Sequence, residues 1–171
     1  MQNHEVHASP SKNRLARSEQ LAWKMAEVAA DPVAVEEDVA AMVINRIIDN
    51  AAVAIASLNR GPIRSARAMA RAHPRRGGAT LFGASADQTV CAEWAAWANG
   101  TAVRELDFHD TYLAADYSHP GDNIPPVLAV AQQTDRDGAA VLRAITTAYE
   151  IQVNLVRVIC LHEHKTDHIA H

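Results

Sequence analysis

The sequence is poor in the residues that most quickly identify a protein. Its two cysteines, Cys91 and Cys160, show no CxxC spacing, so neither a disulfide framework nor a cysteine-built metal or iron–sulfur site is expected. Each sits in an apolar stretch and reads as a small core hydrophobe, which suits the reducing cytoplasm. Aromatic residues make up only 5% of the chain against 49% apolar residues in all, with alanine prominent, which favours closely packed helices over a strand-rich sandwich. No uninterrupted apolar run approaches the roughly 18 residues of a membrane span, and the opening MQNHEVHASPSKNR lacks the apolar centre of a secretion signal. A membrane is therefore not an expected partner. The 16 basic and 20 acidic residues are spread along the chain without a basic block, so nucleic acid is not expected either.

What is present is a chain of 171 residues, enough for one ordinary domain or a piece of a larger one, with an all-α pattern. Residues 1–17 read as a mobile arm and 18–171 as a helical body. Ser18 is placed to cap a short helix ending before Asp31-Pro32. A longer helix is expected from about Glu36 to Asn59, with Val39, Val43, Ile47, Ala51, Ala54 and Leu58 on one stripe. Gly61-Pro62 precedes a helix from Ile63 to Ala72 in which Arg64, Arg67 and Arg71 form a solvated basic face. Ala79 to Phe82 is the one extended run expected. Ser85 or Asp87 then caps a helix reaching about Ala98, ended by Asn99-Gly100. Ile124 to Gln133 carries prolines in its first turn, where a missing N–H is harmless, and Ala139 to about Cys160 is the cleanest amphipathic helix.

Between those helices lies "LDFHDTYLAADYSHPGDNIPP", residues 106–126, where two histidines and four aspartates crowd together. His119 is a candidate for proton transfer, since imidazole titrates near neutrality, and a carboxylate such as Asp107 or Asp110 is placed to orient it. Thr111 offers a hydroxyl to a substrate oxygen. The bland reading, loop residues making local turn bonds, holds for each residue alone; the clustering points to a site. A metal reading fails on spacing: Asp107, His109, Asp110 and His119 match no short zinc pattern, and the tail "HEHKTDHIAH" breaks HExxH at Thr166. No metal is expected.

The run "NGTAVRELDFHDTYLAADYSHPGDNIPPVLAVAQ" resembles the signature region of the MmgE/PrpD family. "RIIDNAAVAIAS" at 46–57 is similar to the family's buried N-terminal helix, and "LHEHKTDHIAH" to the stretch entering its second histidine motif, so the likeness extends from about Ser18 to the end. Many family members carry an aspartate where this chain has His109 and a histidine where it has Arg104. The resemblance implies the first part of a helical domain within a much longer polypeptide, whose remaining helices and α/β domain lie outside this chain. Such a piece is expected to be inactive alone and to expose apolar helix faces.

The resemblance also implies the chemistry: a metal-free and cofactor-free hydro-lyase of propionate breakdown that dehydrates a small tricarboxylate, 2-methylcitrate. Related lyases of the cis-aconitate decarboxylase type, or a truncated inactive module, are the alternatives. By likeness His119, Asp107 and Thr111 are catalytic, with His171, His168 and Asp110 binding substrate, in a cytoplasmic homodimer.

Overall fold

The computed structural model describes residues 4–7 and 9–164; His168 and His171 lie outside the described residues. The chain divides between Ala34 and Val35 into two units. The first contains a 3-10 turn, Arg17–Glu19, and helix α1, Leu21–Ala30. Ser18 does not cap that helix. Its N-cap is Gln20, without a side-chain capping bond, and Trp23 Nε1 donates across one turn to Glu27 Oε1 at 2.9 Å. As expected, α1 stops before Asp31-Pro32, where proline disfavours helical geometry in the preceding residue.

The second unit holds the candidate site and is mostly helical: α2 (Glu37–Ala56), α3 (Gly61–Arg71), α4 (Ala92–Arg104), α5 (Ile124–Gln133) and α6 (Gly138–Val158). Extended structure exceeds the single run expected from sequence. Strands β1 (Pro74–Thr80) and β2 (Thr89–Val90) form one antiparallel pair, and β3 (Tyr112–Leu113) and β4 (Tyr117–Ser118) another. In the first pair both Pro74 and Ala79 face Val90, so the intervening residues bulge out. Gly78 permits this, because a Cβ there would run into the Val90 carbonyl.

Alanine sets how closely the helices approach. Ala92, Ala95 and Ala98 recur along α4 at three-residue spacing and are buried against Ala66 and Ala70 of α3 and Ala129 of α5, and Ala102, one turn further, is buried beside Ile63 and Ala54. Ile63, Val103 and Ala54 extend this core towards α2, while Val43, Ile124 and Ile145 bring α2, α5 and α6 together. Helix α2 is long and apolar enough to cross a membrane by length and composition alone. Arg46, Asp49 and Asn50 interrupt its middle, and Asn50 is buried within the unit. Its outer residues Met42, Ile44, Ile48 and Ile55 are exposed.

Two helices depart from their sequence patterns for reasons that lie far away in the chain. Helix α4 begins at Ala92, not after Ser85 or Asp87, because Gln133 Oε1 at the end of α5 accepts from the Ala92 N–H at 2.9 Å. It also runs through Asn99-Gly100. Asn99 is buried and ties α4 to the end of β1, accepting from Phe82 N at 2.9 Å and donating to Thr80 O at 3.0 Å. In α3 the basic face is not uniformly solvated: Arg67 is buried and donates to Phe82 O at 2.6 Å. Burial, followed by the neighbouring charge of Arg71, lowers its pKa.

Candidate active site

The polar segment is folded by three local devices. Asp107 follows the C-terminal end of α4 in the left-handed region, φ 55°, which aspartate tolerates better than most residues, and its N–H donates to Arg104 O at 3.1 Å. The β3–β4 hairpin then returns the chain to Ser118 and His119. A 3-10 turn, Pro120–Asn123, leads into α5, whose prolines fall in the first turn.

These devices bring His119 to the centre. It is 7% exposed, and its Nδ1 lies 2.8 Å from the Asp110 carbonyl oxygen. A carbonyl can only accept, so Nδ1 carries the hydrogen, and in the neutral ring the lone pair is on Nε2. Nε2 lies 3.6 Å from Asp107 Oδ1. Thr111 Oγ1, 3.4 Å from Nδ1, completes the group. The geometry therefore brings His119, Asp107 and Thr111 together, with one difference from the roles expected. The Asp110 backbone fixes the His119 tautomer, and Asp107 faces the reactive nitrogen.

Asp110 itself is enclosed. Its Oδ1 accepts from Gly121 N at 2.8 Å and its Oδ2 from Tyr149 Oη at 2.7 Å. One oxygen thus braces the loop against the 3-10 turn and the other against α6, where sequence reasoning had placed Asp110 against substrate. Gly121 is needed for this approach, since a Cβ there would strike Asp110 Oδ1 and come within 2.9 Å of Asn50 Nδ2. Burial, then the hydrogen bond to Asp110, raises the Tyr149 pKa far above the usual tyrosine range. Asn123 Nδ2 adds a second tie to α6, donating to Gln152 Oε1.

Beside His119 lies a charged group the sequence reading did not use. His109 Nε2 is 2.9 Å from Asp122 Oδ1, and Arg104 Nη1 is 3.6 Å from Asp107 Oδ1 and 3.8 Å from Asp122 Oδ2. Ligand atoms of Asp107, His109 and His119 lie within 4.8 Å of one another, close enough to surround a divalent ion. Arg104, 3.5 Å from His109 Nε2, already supplies a cation there, and His109 Nε2 is engaged by Asp122, so this donor set fits a metal poorly. Asp116, Cys160 and His162 form a second such group. There Asp116 accepts from Leu161 N at 2.9 Å and from His162 Nδ1 at 3.0 Å, fastening the strand that leads to His119 to the segment after α6.

Tyr149, Asp122 and Gln152 were missed from sequence. Tyr149 falls on the apolar stripe of α6, and only its hydroxyl hints at a polar partner. Asp122 and Gln152 have no spacing signal at all.

The MmgE/PrpD N-terminal domain profile matches residues 19–171. A 68-residue stretch is 41% identical to 2-methylcitrate dehydratase of Escherichia coli strain K12, covering 34% of this chain and 14% of that protein. The Cupriavidus necator 2-methylcitrate dehydratase gives the same figures. The Salmonella typhimurium enzyme of that name is 36% identical over 63 residues, 37% of this chain and 13% of its own length. The matched stretches thus span a small part of these relatives, whereas the domain match takes in nearly the whole chain. A profile match of that extent, together with the site it encloses, makes this chain a member of the MmgE/PrpD family, corresponding to its N-terminal domain.

Proposed function

We propose that the polypeptide containing this chain dehydrates 2-methylcitrate to 2-methylaconitate by general acid/base elimination. The observation that carries this reading is the bond from His119 Nδ1 to the Asp110 carbonyl, which in the neutral ring leaves the lone pair on Nε2, beside the exposed Asp107 carboxylate. In the reaction Nε2 takes the proton from the carbon alpha to a carboxylate, the electron pair of that C–H bond forms the alkene, and the neighbouring C–O bond breaks. The imidazolium so formed gives its proton to the leaving hydroxide, so that one water is released and His119 returns to its starting state. Asp107, 3.6 Å from Nε2 and largely exposed, stabilises the imidazolium that forms, and Thr111 hydrogen bonds a substrate oxygen. The names of the relatives support the choice of substrate.

Asp107 is the less suitable base, because an anionic base beside a trianionic substrate meets like-charge repulsion that a neutral imidazole avoids. His168 and His171 belong to the same proposal as substrate-binding residues.

The test is to assay the full-length protein with 2-methylcitrate, citrate and cis-aconitate, following the conjugated alkene in the ultraviolet and CO2 release in parallel. Formation of alkene from 2-methylcitrate, with a loss of about 10²–10⁴ in His119→Ala, is the expected result. CO2 release from cis-aconitate without dehydration would move the reading to a decarboxylase. A fully active His119→Ala would remove His119 from the chemistry.

A further inference from the structure

The site contains a second imidazole that the elimination does not use. The His109 side chain is completely buried, so it is closed to substrate. What it touches is the base: the rings of His109 and His119 are stacked with centroids 4.5 Å apart and planes 26° from parallel. Its Nε2 faces Asp122 Oδ1 at 2.9 Å, and a carboxylate only accepts, so Nε2 carries the hydrogen. Its Nδ1 is buried and makes no hydrogen bond among the described residues. A hydrogen on that atom would be a buried donor without an acceptor, so the ring holds a lone pair there.

An imidazole tied at one edge and flat against its neighbour restricts how that neighbour can turn. Both hydrogen-bond contacts of the His119 ring, to the Asp110 carbonyl at 2.8 Å and to Thr111 Oγ1 at 3.4 Å, lie at Nδ1, so rotation about that edge would still swing Nε2 away from the reacting carbon. We propose that His109 is a positioning residue, a floor under His119 whose plane is set by Asp122 and which keeps Nε2 aimed between Asp107 and the substrate. A ring with one hydrogen also adds no positive charge beneath His119 when the latter takes up its proton. The charged groups facing the pair are Arg104, Asp107 and Asp122, while the Asp110 carboxylate is turned to Gly121 N and Tyr149. This inference rests on the proposed role of His119 as base.

The test uses the full-length protein and two independent readouts. In the first, the His119 Nδ1–H resonance is followed in a sample with 15N-labelled histidine. It is visible in the wild type because its bond to the Asp110 carbonyl persists, and it broadens away in His109→Gln and in Asp122→Ala. In the second, kcat falls by about tenfold or more in both variants while KM changes by less than about twofold, the mark of misdirected chemistry. Asp122→Asn, which still accepts from His109 Nε2, retains both signals. Cooperative melting shows that each variant folds, and Asp122→Ala carries the test where His109→Gln does not fold. An unchanged Nδ1–H resonance and kcat in a folded variant would overturn the floor. A wild type without dehydratase activity would instead remove the proposed reaction, and the resonance would still decide the role of His109.

Discussion

Replacing Tyr149 by Phe removes one oxygen and should change both the stability of the protein and its dependence on pH. The lost hydroxyl donates to Asp110 Oδ2 at 2.7 Å, a hydrogen bond to a charged group in a partly buried setting. Such bonds contribute about 1.5–3 kcal/mol, and Asp110 Oδ2 would be left without that partner. For a domain of this size the loss corresponds to a fall in Tm of about 4–10 °C. The pH dependence follows from the raised pKa. Below about pH 10 the phenol is protonated in both folded and unfolded chains, so the bond contributes fully. Above that, the unfolded tyrosine ionises while the folded one does not, and stability falls as pH rises, with a limiting slope of about 1.4 kcal/mol per pH unit. Urea midpoints measured from about pH 7 to about pH 11 should therefore converge for wild type and Tyr149→Phe at the alkaline end. Tyr112 and Tyr117 are present in both proteins, so the difference isolates Tyr149. Parallel curves across that range, or equal midpoints at neutral pH, would refute the reasoning.

Three further outcomes are expected. Gly121→Ala forces a Cβ against Asp110 Oδ1 and Asn50, so a destabilisation of about 1–3 kcal/mol should accompany a loss of activity, read from denaturant melts and the alkene assay. Asn99→Ala leaves the Phe82 N–H and the Thr80 carbonyl without their partner and should cost about 1–3 kcal/mol, whereas Gly100→Ala, with open space around its Cβ, should be neutral or slightly stabilising in the same melts. Gln133→Ala removes the acceptor at the start of α4 and should cost about 0.5–2 kcal/mol; hydrogen exchange of the Ala92 amide should rise with it.

The parts of the fold that were legible in sequence are those specified locally. Helix α5 has the bounds its prolines and turn residues predict, and α6 runs from Gly138 to Val158 along the stripe of Leu142, Ile145 and Tyr149. Asp137 begins α6 as a capping residue, accepting from Ala140 N at 2.8 Å. Helix α4 was misjudged at both ends because its start is satisfied by Gln133 and its Asn-Gly pair is carried through by contacts to residues 80 and 82, partners that no local pattern reveals. Arg67 fell on an apparent solvent stripe but meets the Phe82 carbonyl, since the turn after β1 folds over that part of α3. Within the site, the cluster of His119, Asp107 and Thr111 could be read from chemistry and spacing together. The direction of each contact could not: whether Asp110 faces substrate or Tyr149, and whether His109 faces solvent or His119, depends on how α6 and the 3-10 turn close around the loop.

The left-handed backbone at residue 107 restricts which amino acids can occupy that position at all. Asparagine and glycine share aspartate's tolerance of that conformation, while β-branched and bulky residues would be strained there. Of the three, only aspartate carries charge. Glutamate, the nearest chemical substitute, would face both an unfavourable backbone and a carboxylate displaced by one methylene. The repertoire of viable replacements is thus narrowed by conformation before any selection for reactivity, and Asp107→Asn becomes the cleanest probe of the charge, since it alters the carboxylate and leaves the turn intact.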